Sequence, residues 1–536
     1  MKISLNEQLN EHKNVFIDAK RSKLIEKSIE NKDAFISKNG ALATWTPVES
    51  TGRSPKDTYI VKNKESENKI DWDSPNNIPL DSDVFELIWE DAIQILGEKN
   101  ELFITNRVIG ADSKYALKVK TVADNSLTAL FTLNMFREQD NSKESIFKDN
   151  EFQLIVLPYD KLKDKNYSDR IRSDMIIASD FDSKRGVVIG SAYGGSVKKL
   201  MFTAMNFLLP DKNVLPIHCS ANEGKDDNSA IFLGLSGTGK TTLSGDKNRA
   251  LLGDDEHGWS DDGIFNFENG CYAKMIDIDP NKEPEIYDAV MHKDDYRNHG
   301  AIIENAMMYP DGAFDYFDDR LTKNSRASYP LKFLKNIKKS SKSIPPKTVI
   351  FLTADANGVL PPVAKLSTKQ AMFWYLMGYT SKLAGTETGI VDPQTVFSRF
   401  FGEPFMPRNP DDYAQMFGKY IEKYGTAVYL INTGWTGGPY GEGKRFDIMV
   451  TRRIVNAVLS NELNNVEYKK EPNFKLNIPL TCPGISEDIL DPKNTWKDKN
   501  DYDTRAKKLA GEFAIHFDKS FKGKVDSSLE EVCPGK

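Results

Sequence analysis

The sequence predicts a mixed α/β protein of two domains, and three observations carry that prediction. A chain of 536 residues exceeds what one ordinary hydrophobic core organises, so more than one domain is expected. Apolar residues fall in short alternating runs and in helical-period stripes, in mixed order along the chain. The apolar run Ala230-Ile231-Phe232-Leu233 enters a glycine-rich turn that opens into Thr241-Thr242-Leu243, which is the strand–loop–helix order of a nucleotide-binding α/β unit.

The elements follow from patterning. Residues 1–78 mix helical patterning with short extended pieces, after which Phe85, Ile88, Trp89, Ala92, Ile93 and Leu96 share one helical face. Strands are expected at 102–105, 116–122 and 153–157, and a helix at 126–136. These elements make an N-terminal α/β domain, residues 1–212. Residues 213–536 make a C-terminal nucleotide- and metal-binding domain, where shorter, more apolar strands alternate with glycine-rich connections at 234–239, 253, 270 and 434–443, the composition of ligand loops. The segment 335–347 reads as an exposed connection with a solvated charge run. An amphipathic helix is expected at 502–517, followed by a frayed tail.

Composition excludes several function classes. Seventy-two basic residues against 78 acidic ones give a net charge of -6, which supplies no general attraction for nucleic acid or anionic membrane. No stretch approaches the roughly 18 apolar residues of a membrane span, and the opening Met1-Lys2-Ile3-Ser4-Leu5-Asn6-Glu7 lacks the apolar core of a signal peptide. A cytoplasmic location follows as the expectation. Cys219, Cys271, Cys482 and Cys533 are scattered and lack C-x-x-C spacing, so reduced core or site-lining thiols are expected.

Gly234-Leu235-Ser236-Gly237-Thr238-Gly239-Lys240-Thr241 matches G-x-x-x-x-G-K-[ST]. The pattern predicts a bound nucleoside triphosphate: backbone N–H groups of Ser236 to Thr242 cradle phosphates, Lys240 reaches the β/γ-phosphates, and the Thr241 hydroxyl serves Mg2+. Gly253-Asp254-Asp255-Glu256-His257 follows the apolar pair Leu251-Leu252, so two carboxylates emerge at a strand end, where such an enzyme needs its metal-binding acid. His218 lies on an expected strand just upstream and is either a ligand or a structural histidine. Tyr193-Gly194-Gly195-Ser196-Val197-Lys198-Lys199 reads as a tight turn suited to phosphate or carboxylate, or as a solvated hairpin. Arg53 and Arg326 could each clamp a carboxylate bidentately or remain solvated. The segment 378–389 has the composition of a hinged lid or of a plain loop. The segment 432–445 combines glycines, Trp435, Tyr440 and the pair Lys444-Arg445, which suits a base and phosphates.

Together these segments resemble the ATP-dependent phosphoenolpyruvate carboxykinases. The resemblance runs in order from Thr51-Gly52-Arg53-Ser54-Pro55-Lys56-Asp57 to Tyr502, through the phosphate loop, Gly253-Asp254-Asp255-Glu256-His257-Gly258-Trp259, Gly270-Cys271-Tyr272-Ala273-Lys274, Gly358-Val359-Leu360-Pro361-Pro362 and Asn432-Thr433-Gly434-Trp435. It implies an active site in the interdomain cleft, a lid at 382–392, and conversion of oxaloacetate and ATP to phosphoenolpyruvate, ADP and CO2, as in gluconeogenesis. It also implies Mn2+ held by Lys199, His218 and Asp255, and Mg2+ at Thr241. Arg53, Tyr193 and Arg326 would hold substrate; Lys198 would contact the γ-phosphate; Lys274, Glu283, Arg326, Arg445 and Thr451 would surround the nucleotide. A monomer is favoured. The chain departs from the family pattern at Ser196, where Glu is expected, at Asn269, where Gly is expected, at Lys323-Asn324-Ser325-Arg326, where Glu-Asn-Thr-Arg is expected, and in extra residues at 287–300. Lys323 replaces an anion that could orient Arg326. A small-molecule or protein kinase on the same loop, and a nucleotide-binding paralogue with reduced activity, are the alternatives.

Overall fold

A computed structural model describes residues 3–140, 144–148, 150–162, 167–281, 283–382 and 394–536. The chain divides into two compact units, one of residues 1–212 with 265–341 and one of residues 213–264 with 342–536. The expected continuous C-terminal domain is therefore corrected. Strand Ile302–Glu304 pairs in parallel with Leu42–Thr44, and Arg326–Pro330 joins Ile302–Glu304 to Gly270–Lys274, so backbone hydrogen bonding ties 265–341 to the N-terminal segment. The segment 335–347 contains the point where the chain returns to the second unit.

The first unit holds an eight-stranded sheet ordered Val15–Ile17, Leu102–Ile109, Leu117–Ala123, Glu151–Leu157, Arg185–Ile189, Ile176–Asp180, Thr58–Lys62 and Ile78–Asp81. Helix Ser82–Gly97 presents its predicted apolar face, and Phe85, Ile88, Trp89 and Ala92 join one core with Leu102, Ile104, Ile155 and Val187. Helix Ser126–Met135 starts where the Asn125 side chain accepts from the Thr128 N–H at 3.0 Å, as an N-cap should. A second sheet, of five strands, contains Gly270–Lys274, Arg326–Pro330, Ile302–Glu304, Leu42–Thr44 and Phe35–Ile36.

Within the second unit, an eight-stranded sheet is ordered Ala250–Gly253, Ser220–Glu223, Ser229–Leu233, Thr348–Thr353, Ala427–Asn432, Val363–Leu366, Asn477–Pro479 and Tyr468–Lys470. Ser229–Leu233, Thr348–Thr353 and Ala427–Asn432 pair in parallel. Every residue of Ser229–Leu233 and Thr348–Thr353 is buried, as expected for parallel strands covered on both faces.

The expected frayed tail is packed instead. Beyond helix Lys499–Ser520, Leu529 and Cys533 are fully buried in the core that contains Phe513 and Phe517, and Gly535 lies so near Ala510 that a Cβ would come within 2.5 Å of its carbonyl oxygen. All four cysteines are buried free thiols, each in an apolar cluster. Among the described residues no helix is long and apolar enough to cross a membrane.

Burial pushes the Asp33 carboxyl up to about 6, against a side-chain hydrogen bond from Asn125. The folded protein therefore prefers protonated Asp33, and the stability this supplies is complete below about pH 4 and lost as pH rises through 6. Asp33→Asn should raise the unfolding free energy at pH 8 by about 1 kcal/mol, allowing for solvent screening, and change it little at pH 4. Calorimetry at the two pH values measures this; an equal effect at both would contradict it.

Candidate active site

In the second unit, strand direction gathers the predicted motifs. The three central parallel strands end together at Leu233, Thr353 and Asn432, so the loops 234–239, 354–360 and 433–445 leave one sheet edge, where open α/β sheets bind ligands. Ser220–Glu223 is antiparallel to Ser229–Leu233 and to Ala250–Gly253. Its N-terminal neighbour His218 and the segment following Gly253 therefore reach the same edge.

Close packing requires glycine in the first of these loops. A Cβ on Gly234 would lie 2.5 Å from Thr238 Oγ1 and 3.0 Å from Leu352 Cβ, while Gly237 and Gly239 adopt φ of 83° and 89°, accessible to glycine at little cost. The Thr238 hydroxyl donates to the Leu235 carbonyl at 2.7 Å. Helix Lys240–Ser244 then begins at Gly239 without a side-chain cap, leaving its first N–H groups available to an acceptor. Ser236, Gly237 and Thr241 are exposed, Gly239, Lys240 and Thr242 are half-buried, and Thr238 is buried. The neighbouring loops brace this turn: the Thr433 hydroxyl donates to the Thr238 carbonyl at 3.0 Å, and Arg445 donates to the carbonyls of Thr433 at 3.0 Å and Gly237 at 3.2 Å while covering the Trp435 ring. Thr451 is buried, and its hydroxyl turns back to the Asp447 carbonyl at 3.3 Å.

Asp355, which patterning did not single out, organises the middle loop. Its Oδ2 accepts from the Val359 and Leu360 N–H groups at 2.8 and 2.9 Å, and its Oδ1 accepts from the Asn357 N–H and the Tyr379 hydroxyl, both at 2.9 Å. The Asp-x-Asn-Gly sequence is the local signal that could have revealed this turn. Gly378 caps helix Thr368–Met377 at φ 54°, and strand Tyr379–Lys382 pairs with Gln394–Phe397. Beyond Lys382, the lid expected at 382–392 lies outside the described residues.

His218, Asp255 and Lys240 meet at this edge. His218 Nε2 lies 2.8 Å and Lys240 Nζ 3.3 Å from the same Asp255 oxygen, Oδ1. His218 Nδ1 faces the Phe401 carbonyl at 2.5 Å, the arrangement that directs Nε2 toward a metal in histidine-ligated sites. That carbonyl is aimed by two consecutive left-handed residues, Phe400 at φ 62° and Phe401 at φ 56°. Each costs on the order of 1 kcal/mol, offset by burial of both rings against Tyr375, Tyr413 and Phe351. A Cβ on the next residue, Gly402, would fall 2.9 Å from His218 Cβ. An imidazole nitrogen and a carboxylate oxygen within hydrogen-bond distance form a donor set that fits a borderline-hard divalent cation.

Within the first unit, the segment expected to form a tight turn opens a helix, Gly194–Leu208, which carries Lys198 and Lys199. Val197, Leu200, Met201, Ala204 and Met205 supply the helical stripe that patterning overlooked. Lys198 is buried and paired with Glu268 at 2.9 Å; Glu268 is distant in sequence and carried no local signal. Lys199 Nζ lies over the Phe202 ring, and Tyr193 is buried. Register places Lys274 opposite Arg326, and Arg326 opposite Glu304, on adjacent strands, so the three share one sheet face. Glu283 occupies the N-cap position of helix Pro284–Met291 without a side-chain cap, and its N–H donates to the Asp279 carbonyl at 2.9 Å.

Arg326 is oriented by a residue that the spacing reading missed. Its Nε donates to Asn324 Oδ1 at 3.0 Å, and Asn324 Nδ2 donates to the Thr51 carbonyl at 2.9 Å, two residues before exposed Arg53. The i,i+2 spacing of Asn324 and Arg326 was the available signal. Lys323 instead turns to Asp319 at 3.8 Å at the surface, so its charge does not set the orientation of Arg326. The other departures are also accommodated. The Ser196 hydroxyl pairs with Ser191 at 2.9 Å, the Asn269 N–H donates to Met135 O at 2.8 Å, and within 287–300 the His292 and His299 rings stack at 4.1 Å.

Gly402→Ala should push His218 away from Asp255 and, with Mn2+ as the probe of a divalent-cation site there, lower affinity at least about tenfold, a typical consequence of disturbing the shell behind a ligand. Electron paramagnetic resonance titration measures free Mn2+; wild-type affinity in a folded Gly402→Ala protein would contradict this placement.

Comparison with known proteins agrees with these motifs. Residues 13–488 match the family model described as phosphoenolpyruvate carboxykinase. Proteins named phosphoenolpyruvate carboxykinase (ATP) are 46% identical over 509 residues in Caldanaerobacter subterraneus subsp. tengcongensis, covering 95% of each chain. Those of Alkaliphilus oremlandii and Geobacillus kaustophilus are 45% and 43% identical, each over 512 residues covering 95% of this chain and 94% of the relative. The chain belongs to the ATP-dependent phosphoenolpyruvate carboxykinase family.

Proposed function

We propose that this protein is a carboxy-lyase that converts oxaloacetate and ATP to phosphoenolpyruvate, ADP and CO2, the gluconeogenic step of its family. The observation that carries the reading is the convergence of the glycine turn, Lys240, His218 and Asp255 at one sheet edge. A kinase needs the first two; the histidine–carboxylate pair suits a reaction that also develops charge on a carbon acid.

In this reading Ser236, Gly237, Thr238, Gly239 and Thr242 form a phosphate-binding loop, and the Lys240 amine exchanges its contact with Asp255 for the phosphates of ATP. Arg445 and Thr451, with Lys274 and Glu283, surround the nucleotide. Arg53 and Arg326 grip the carboxylate and the transferring phosphoryl group, Tyr193 completes the substrate pocket, and Lys198 meets the γ-phosphate. The C3–C4 bond of oxaloacetate breaks, its electron pair passes into the enolate, and the enolate oxygen displaces ADP from the γ-phosphorus. His218, Asp255 and Lys199 would hold Mn2+ and Thr241 would hold Mg2+, and such cations when bound would supply Lewis-acid stabilisation of the developing charge. Burial of Lys198 with Glu268 keeps that amine dry and preoriented, so little reorganisation is needed when charge moves. A cytoplasmic monomer with division of labour between substrate-side and nucleotide-side domains completes the proposal.

Purified protein given ADP, Mn2+, bicarbonate and phosphoenolpyruvate should form oxaloacetate, followed by its coupled reduction. ATP binding without any oxaloacetate would sink the carboxykinase reading and favour a kinase or an inactive paralogue. Lys199→Ala and His218→Ala should each lower turnover roughly a thousandfold, while ATP affinity stays within about twofold. Lost ATP binding in either would show that the two residues serve the nucleotide instead.

A further inference from the structure

The face that carries Arg326 and Lys274 is anchored by a carboxyl that the proposed chemistry does not use. Glu304 is buried and stands opposite Arg326 in register. The Tyr272 hydroxyl donates to Glu304 Oε2 at 2.5 Å, and the backbone N–H of Gly194 donates to the same carboxylate. Tyr272 lies two residues before Lys274, so both side chains project from one face of their strand. Its ring sits beneath the Arg326 guanidinium, 5.8 Å from centroid to Cζ, and beside the Tyr193 ring at 5.6 Å. Phe131 meets the Tyr272 ring edge-on at 5.5 Å and holds its other side. Gly194 leaves no spare room, because a Cβ there would lie 2.7 Å from Glu304 Oε1 and 2.6 Å from Phe131 Cε2.

Two kinds of element thus end on one side chain. The helix bearing Lys198 and Lys199 presents its first N–H to Glu304, and the strand bearing Lys274 presents Tyr272, the ring on which Arg326 rests. Burial pushes the Glu304 carboxyl up to about 7, a cost that an apolar residue would avoid and that is met here by two donors and a facing cation. Tyr272, Arg326, Tyr193 and Tyr159 are the titratable and charged groups around it.

We infer that Glu304 is a positioning residue for the substrate side of the site: its acceptor oxygens fix Tyr272 under Arg326 and fix the start of the Tyr193–Lys199 segment. The inference rests on the proposed roles of Arg326 and Tyr193 in holding substrate. It makes the loss on removing Glu304 fall mainly on the carboxylate-bearing substrate, because the Tyr272 ring supports Arg326 rather than Lys274, and the phosphate loop, Arg445 and Thr451 belong to other elements. It also makes the loss recoverable by an uncharged acceptor of the same length.

Calorimetric titration of the full-length protein with phosphoenolpyruvate and, separately, with ADP tests this in wild type, Glu304→Ala, Glu304→Gln, Tyr272→Phe and the double variant Glu304→Ala/Tyr272→Phe. Glu304→Ala should weaken phosphoenolpyruvate at least about tenfold with ADP within about threefold, as expected when one hydrogen-bonded anchor of a buried network is lost. Glu304→Gln should recover most of that loss. Tyr272→Phe should weaken phosphoenolpyruvate in the same direction, and the double variant should be no worse than Glu304→Ala, the signature of two residues acting through one contact. Wild-type phosphoenolpyruvate affinity in Glu304→Ala, equal losses in the Ala and Gln variants, or parallel losses of both ligands would each overturn the inference. Binding reads Glu304 directly, so a wild-type protein that binds phosphoenolpyruvate yet forms no oxaloacetate would refute the carboxykinase reading alone.

Discussion

Parallel pairing of Ser229–Leu233, Thr348–Thr353 and Ala427–Asn432 is the constraint on which the second unit's chemistry depends. Parallel neighbours must all run the same way, so their following loops cannot be dispersed to opposite ends of the sheet. Three segments spread over residues 229–432 are thereby brought to one edge, and the antiparallel flank delivers His218 and Asp255 beside them. Gly234 shows how tightly the edge is built, since a methyl group there would press on the strand behind it. The turn needs glycine for two separate reasons, close approach at 234 and left-handed backbone at 237 and 239.

The first unit solves a different problem, orienting the cationic side chains of Lys198 and Arg326. It does so by giving each one a partner drawn from a rigid element. Lys198 has buried Glu268, Arg326 has Asn324 and the Tyr272 ring, and Lys274 and Glu304 flank Arg326 by register. A buried pair such as Lys198–Glu268 contributes little net stability once desolvation is counted, yet breaking it by removing one partner is costly. Its value here lies in orientation. The same holds for the left-handed Phe400–Phe401 pair, where aromatic burial sustains a backbone shape that aims one carbonyl at His218.

Local chemistry was legible where residues act near their own position in sequence. The apolar stripe of Ser82–Gly97 and the strand–turn–helix at 229–244 follow from periodicity and glycine placement. The helical lysines at 198 and 199 were misread as a turn, because Gly194-Gly195 outweighed the longer stripe beyond them. Long-range pairing was not legible. Nothing local indicates that Ile302–Glu304 pairs with Leu42–Thr44, so the segment 265–341 was assigned to the wrong unit. Glu268, Phe401 and Glu304 act through contacts made across the fold, and only register or packing identifies them. Lys323 shows the opposite error: a charge change in the same short segment as Arg326 points elsewhere, toward Asp319.

The central claim is that one protein couples cleavage of a carbon–carbon bond to phosphoryl transfer. Incubation with oxaloacetate labelled at its departing carboxyl, together with ATP, measures both events in one vessel. Labelled CO2 above the spontaneous decarboxylation of this β-keto acid should appear in equal molar amount with ADP, and no ADP should form when oxaloacetate is withheld. ADP accumulating without labelled CO2 would contradict it.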